Sequence, residues 1–277
     1  MLRNPAWSNY LYSLAIKDRY RIMKTLTKFT RVTFSILLGV LLSSCTFFYI
    51  SHKLSTMPLI HEIQAFDNIA NDLPYENRRT IEASRRSTVR LFSKTPNDNV
   101  SSTTGTYIVA NGKYYIITVG HGIFGPCEEL AIWTEEEEFM ECKEIVYLDQ
   151  ETDYAIIHVS EIPSRTPIKI PESLPDTSEW KQAISIQKQV YYTGYPNNVG
   201  PATVDGRIIG VTSGGWTYLH TYAWRGASGS GVFNSDGHFI GYIFAIEVGE
   251  TEYGYDAFEN VIIIVPTFMI DWSMILK

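Results

Sequence analysis

This sequence predicts an all-β domain over residues 87–277, a barrel or a sandwich, and two observations carry the prediction. Short runs of β-branched and aromatic residues recur along the segment, among them Thr106-Tyr107-Ile108-Val109, Tyr114-Tyr115-Ile116-Ile117 and Tyr154-Ala155-Ile156-Ile157. Turn signals separate them. The strongest is Ala110-Asn111-Gly112-Lys113, because Asn-Gly tolerates the positive φ angles of a two-residue hairpin. Two further hairpins are read the same way: Ile132-Trp133 against Glu138-Phe139, and Val232-Phe233 against Phe239-Ile240 across Asn234-Ser235-Asp236-Gly237. Many short strands between turns close on themselves as a barrel or stack as a sandwich.

The chain begins differently. Lys17, Arg19, Arg21, Lys24, Lys28 and Arg31 lie in residues 1–31, a basic segment followed by an uncharged, mostly apolar run at 32–50. That run is close to the roughly 20 residues needed to cross a bilayer's hydrocarbon core. It reads as a single transmembrane signal anchor, and the cations on its N-terminal side place 1–31 in the cytoplasm and the rest of the chain outside it. Leu42-Ser43-Ser44-Cys45 supports a second reading, a lipoprotein signal starting near Met23 with Cys45 lipidated. The apolar Thr46-Phe47-Phe48-Tyr49-Ile50 after that cysteine favours the uncleaved anchor. Residues 51–86 read as a polar stalk with a short helix, since Leu59, Ile60, Ile63, Phe66 and Ala70 recur at helical spacing before Pro74 interrupts. His52 and His61 fall there as bystanders.

Composition narrows the function. With 45% hydrophobic and 19% charged residues the chain is globular, and its net charge of −7 disfavours nucleic acid as a partner. No Cys/His cluster has ligand spacing, so neither a metal nor a cofactor is expected. Glu135-Glu136-Glu137-Glu138 reads most simply as a solvated hairpin tip, with binding of a cation or a basic partner as the alternative. Cys127 and Cys142 bracket the 132–139 hairpin; they face each other as a disulfide in an oxidising compartment, or stay two buried thiols in a reducing one. Asn99-Val100-Ser101 is a glycosylation sequon in a eukaryotic host only. No segment specifies an oligomeric state.

The chemistry converges on Arg225-Gly226-Ala227-Ser228-Gly229-Ser230-Gly231, a small-residue turn ahead of an apolar strand. Glycines on both sides let the backbone turn sharply and present Ser228 as a nucleophile. A serine needs a base and a group to orient that base. His121 ends the strand Ile116-Ile117-Thr118-Val119-Gly120-His121, and Asp153 opens Asp153-Tyr154-Ala155-Ile156. The order His, Asp, Ser and the strand that follows Ser228 argue against an α/β-hydrolase, whose serine leads the triad and precedes a helix.

These three motifs, TVGH, DYAI and GASG, resemble those of the trypsin-like (chymotrypsin-fold) serine peptidases, over about residues 86–277. The G-x-S-G-S tail and Ile240-Gly241 look closest to the HtrA/Deg and bacterial glutamyl endopeptidase branches. The resemblance implies two six-stranded antiparallel β-barrels with the site between them. The first runs to about Ile170 and the second from about Gln182, joined by the Pro-rich link at 170–175, with a C-terminal helix at 267–276. It implies His121, Asp153 and Ser228 as catalytic, and the amides of Gly226 and Ser228 as the oxyanion hole. A PDZ domain is not expected, because the chain ends at Lys277. Tyr222, Ile243, Phe244 and Ala245 take the positions of the primary substrate pocket; none can pair with a charged side chain, so small or apolar residues are expected there.

Three departures stand out. Ala227 replaces the Asp that pairs with a newly cut N-terminus in digestive enzymes, so that activation route is not expected. Gly120 stands for the usual Ala before the histidine, and Gly231 is tolerable. The resulting expectation is a membrane-anchored serine endopeptidase acting on extracytoplasmic proteins or peptides. The alternative is a catalytically silent protease-fold binding protein.

Overall fold

Consecutive apolar residues, rather than strictly alternating ones, mark strands buried on both faces, and this chain uses them to build two barrels and the layer between. The computed structural model describes residues 75–276 except 137, 172–176 and 253. The first barrel contains β1 (Thr88–Lys94), β2 (Val100–Ala110), β3 (Lys113–Thr118), β4 (Leu130–Trp133), β5 (Phe139–Asp149) and β6 (Tyr154–Val159). Its order is β1-β4-β5-β6-β3-β2, and β2 pairs back onto β1 from Thr88↔Thr106 to Lys94↔Val100, which closes it. A two-residue strand, β7 (Ile168–Lys169), adds to β2 in parallel.

The second barrel contains β8 (Gln189–Gly194), β9 (Ala202–Val211), β10 (Thr217–His220), β11 (Gly231–Asn234), β12 (Phe239–Thr251) and β13 (Gly254–Pro266), closed in the order β10-β13-β12-β11-β8-β9. The two six-stranded barrels are thus as the sequence predicts. All three anticipated hairpins form, with Ala110↔Lys113, Trp133↔Phe139 and Phe233↔Phe239 as pairs nearest the turns. Asn111 and Gly112 take φ of 49° and 72°, as the Asn-Gly turn requires.

Strand period 2 explains the apolar runs. Ile116 and Ile157 point into the first barrel, and their neighbours Ile117 and Ile156 point out of it. Val232 and Ile264 fill the second barrel, and Phe233 and Val265 leave it. The outward set from both barrels meets in one cluster that includes Tyr154, Tyr242 and Trp272. Burying each such side chain contributes about 1.5–3 kcal/mol.

Three features depart from the sequence expectation. A helix, α1 (Tyr75–Arg86), begins directly after Pro74 and docks on the second barrel. Ser84 Oγ bonds Thr193 Oγ1 at 2.9 Å and Arg85 reaches the Pro201 carbonyl at 3.1 Å. The helix expected at 59–70, the anchor at 32–50 and Cys45 lie outside the described residues. No helix among the described residues is long and apolar enough to cross a membrane.

The acidic hairpin tip is also not simply solvated. Glu135 pairs with Arg85 at 2.8 Å and with Arg165 at 3.8 Å, Glu136 pairs with Arg165, and Glu138 accepts from Ser164 Oγ at 2.5 Å. The reason is burial: the Arg85 and Arg165 side chains are 8% and 3% exposed, and a charge that deep requires a partner.

The C-terminal helix is replaced by two 3-10 turns, Thr267–Met269 and Trp272–Met274. Ile270 is extended between them, and the Asp271 carboxylate caps the second turn by accepting from Ser273 N. Trp272 Nε1 donates to the Thr267 carbonyl at 2.8 Å, folding the tail back on itself. One short helix, α2 (Thr177–Ala183), follows the link between the barrels.

Candidate active site

β3 carries the chain to His121, which sits in the 3-10 turn Gly120–Gly122. An alanine at Gly120 would put its Cβ 2.7 Å from the Asp149 carbonyl oxygen and 3.2 Å from Asp153 Oδ1. That crowding accounts for a glycine at this position. Asp149 organises the facing turn by accepting from Glu151 N at 2.8 Å, Thr152 Oγ1 at 2.7 Å and Tyr147 OH at 3.1 Å. These bonds, that from Thr152 first, hold the Asp149 carboxyl below its ordinary range. The turn delivers Asp153 at φ 53°, at the mouth of β6.

Asp153 then binds the histidine twice. Its Oδ2 is 2.7 Å from His121 Nδ1 and its Oδ1 accepts from His121 N at 2.5 Å. A carboxylate acceptor requires the proton on Nδ1, which leaves Nε2 as a free base. The imidazole is 49% exposed and the carboxylate 9%, so the ring is open to solvent while the carboxylate that orients it is shielded. Tyr242 OH reaches the Asp153 carbonyl at 3.3 Å from β12, tying this pair to the second barrel.

Ser228 lies half-buried in the turn between β10 and β11. Gly226 and Gly229 flank it at φ 95° and 88°, and a Cβ at Gly229 would come 2.0 Å from the Thr104 carbonyl oxygen. Five consecutive carbonyls here are all occupied. Arg225 O accepts from Asn197 N at 2.6 Å, and Gly226 O from Thr104 Oγ1 at 2.6 Å. Ala227 O accepts from Ser230 N and Oγ at 3.0 and 2.6 Å. Ser228 O accepts from Thr104 N at 3.0 Å, and Gly229 O from Thr106 Oγ1 at 3.1 Å. Ala227 N donates to Trp224 O and Gly229 N to Ile243 O. Among the described residues, the amides of Gly226 and Ser228 donate to nothing. Two unpaired amides one residue apart, at the serine, are what a developing oxyanion needs.

The structure joins His121 to Asp153 directly, whereas no hydrogen bond links Ser228 Oγ to the imidazole. Instead Thr118 Oγ1, on the strand leading to His121, bonds the Thr104 carbonyl at 2.7 Å, and Thr104 holds Ser228. Of the expected pocket residues, Ile243, Phe244 and Ala245 lie on β12, bonded to the serine turn through Gly229 N to Ile243 O at 2.8 Å, and Tyr222 lies in the loop ahead of that turn. Ile243 is buried in the second barrel's core. Phe244 is the extra residue of a β-bulge between Ile243 and Ala245, and its ring lies 5.1 Å from that of Trp216. Tyr222 is exposed and its ring pairs at 4.9 Å with Trp224, a residue that sequence reasoning missed. Thr104, Thr106 and Asn197 were missed as well, because a threonine in a strand or an asparagine in a loop carries no signal of its own.

Cys127 and Cys142 are joined as a disulfide with Cα atoms 5.2 Å apart. No group of three or more His, Cys, Asp or Glu among the described residues can hold a metal ion. A cavity of about 670 Å³ lies among Ile170, Trp180, Lys188, Asp236, His238 and Trp272. It includes none of the residues above, so the chemistry is read from the Ser228 turn and not from the cavity.

The sequence profile of the trypsin-like peptidase domain matches residues 103–241, half of the 277-residue chain. This chain belongs to the trypsin-like peptidase family. As a member of that family it is a serine endopeptidase. The fold of this trypsin-like peptidase is similar to that of the Rv3671c protease from M. tuberculosis in its active form, with 16% identity and a TM-score of 0.54 over 71% of this chain and 83% of that one. It is also similar to the serine endoprotease from Yersinia pestis, at 19% identity and a TM-score of 0.54 over 71% of this chain and 64% of that one. No curated protein matches this trypsin-like peptidase in sequence.

Proposed function

We propose that this trypsin-like peptidase cleaves extracytoplasmic proteins or peptides with a His121-Asp153-Ser228 triad while anchored in a membrane by residues 32–50. The observation that carries the triad is the Asp153 carboxylate on His121 Nδ1 at 2.7 Å, set beside a serine turn with two unpaired amides. Ser228 Oγ attacks the scissile carbonyl and His121 Nε2 takes the hydroxyl proton. The carbonyl oxygen, now an anion, is held by the amides of Gly226 and Ser228. Collapse expels the amine, which takes that proton from His121, and water repeats the sequence on the acyl-enzyme. The Ser228–His121 contact forms in the substrate complex, where catalytic hydrogen bonds tighten. The anchor reading is supported by the uncharged run at 32–50 and the cations before it.

The test is labelling of the full chain with a fluorophosphonate probe. Ser228→Ala and His121→Ala are expected to abolish it. Labelling that persists in His121→Ala would refute the triad. External protease on intact cells is expected to digest the C-terminal domain and spare a tag placed before Arg31.

A further inference from the structure

The oxyanion turn belongs to the second barrel, yet the side chain that grips it comes from the first. Thr104 is fully buried on β2, and its one hydroxyl proton goes to the Gly226 carbonyl at 2.6 Å. The same oxygen accepts from Tyr195 N at 3.0 Å, so the rotor is fixed from both sides. The Thr104 amide adds the bond to Ser228 O at 3.0 Å. One residue therefore holds the carbonyls on either side of Ala227.

We propose that Thr104 is a positioning residue whose hydroxyl keeps the Gly226 amide aimed at the oxyanion; this rests on the reading of Ser228 as nucleophile. The C=O and N–H of a peptide unit point in opposite directions. The direction of the Gly226 amide is thus set by where the Arg225 carbonyl goes, and that carbonyl is held by Asn197 N at 2.6 Å. Asn197 is presented by a short turn, Pro196–Asn198, in which it takes φ 50°. Tyr195, immediately before that turn, is anchored through its amide to Thr104 Oγ1. Thr104 acts at two points. It fixes the Gly226–Ala227 peptide directly, and through Tyr195 it fixes the turn that holds the Arg225–Gly226 peptide. Without the hydroxyl, the Gly226 carbonyl and the Tyr195 amide both lose their partner in a buried place. Glycine at 226 then lets the Arg225–Gly226 peptide rotate at little steric cost.

The experiment uses the full chain in detergent, with fluorescently labelled casein as substrate, a peptide boronate as tetrahedral analogue and a fluorophosphonate as probe. Thr104→Val keeps the shape and removes the hydroxyl. It is expected to lower kcat about 10- to 100-fold, less than loss of an oxyanion donor outright, with KM within about threefold of wild type. Boronate affinity and probe labelling rate should fall in step with kcat. Thr104→Ser should restore all three. Thr103→Val is the control, since the neighbouring Thr103 Oγ1 is buried without a partner and its loss should leave activity unchanged. Thr104→Ala replaces Thr104→Val if the latter does not fold.

A Thr104→Val enzyme with wild-type kcat and boronate affinity overturns the proposal. So does a variant whose KM rises while boronate affinity holds. A wild type that neither labels nor digests casein sinks the Ser228 reading and this inference with it, whereas an active wild type with an indifferent Thr104→Val sinks the inference alone.

Discussion

Arg85 Nη2 lies 2.8 Å from Glu135 Oε1, joining a helix that precedes the first strand to a hairpin tip of the first barrel. Arg165 enters the same group, with Nη1 on the Arg85 carbonyl at 3.1 Å. Arg85 also touches β9 of the second barrel through Thr203 Oγ1 at 3.4 Å. One helix end thereby braces both barrels, and two stability predictions depend on it.

Arg165→Met is expected to cost about 1–3 kcal/mol in urea unfolding, because it takes the ion-pair partner from Glu136, leaves Glu135 with Arg85 alone and leaves the Arg85 carbonyl without its donor. Replacing Arg85, Glu135 and Arg165 together by apolar residues should cost less than the single change, since the one charge then left without its partner, Glu136, is 52% exposed and stays solvated. A triple variant less stable than Arg165→Met would show that the network contributes more than mutual compensation.

A chain beginning at Ser87 should be markedly less stable than one beginning at Ile60. It loses the Ser84 bond to Thr193 and the carbonyls of Ala83 and Ser84 that accept from Ser87 and Thr88, besides Arg85. Losing about 3–5 kcal/mol in a domain of this size lowers the thermal midpoint by roughly 10 °C. Calorimetry on the two chains decides it. Equal midpoints would make α1 a passive appendage.

What could be read in advance follows from range. The Asn111-Gly112 hairpin, the strand-end His121 and Asp153 and the glycine-flanked Ser228 are each specified by a few neighbouring residues, and all were legible. Thr104 and Gly226 are separated by 122 positions, and Arg85 and Glu135 by 50. Nothing local distinguishes a glutamate that will meet a buried arginine from one that will meet water. The tail misled for a related reason: residues 267–276 are apolar enough for a helix, but the Trp272 bond to Thr267 and the Asp271 cap favour two tight turns. The pocket residues Tyr222, Ile243, Phe244 and Ala245 rest on resemblance of position alone, since no local pattern marks a substrate pocket, and a bulge falls among them at Phe244.

Gly120→Ala tests the local geometry of the histidine. The resemblance to trypsin-like peptidases implies alanine before the histidine, so on that ground alone improvement or no effect is expected. The 2.7 Å approach to the Asp149 carbonyl expects the opposite. Backbone must move, at a cost of about 1–3 kcal/mol, and the movement displaces His121 from Asp153. Lower thermal stability together with slower fluorophosphonate labelling is the expected result. Unchanged labelling would mean that the turn yields without disturbing the pair.

The last prediction concerns alkaline stability and Tyr195. Its hydroxyl is buried without a hydrogen-bond partner. Burial, first of all, pushes the phenol from 10 to about 12; Glu135 and Glu136 push the same way, while Arg165 and Arg85 oppose them. A raised phenol favours the neutral form in the folded state. The associated stability is therefore fully present below pH 10, declines as pH rises through 10 to 12, and is gone above. Tyr195→Phe removes both the titration and the unpaired hydroxyl. At pH 8 it should be at least as stable as wild type, because no hydrogen bond is lost. Between pH 10 and 12 its urea midpoint should fall less steeply than that of wild type. Parallel curves for the two proteins would mean that another group governs the alkaline loss, and a Phe variant weaker at pH 8 would reveal a partner for the Tyr195 hydroxyl.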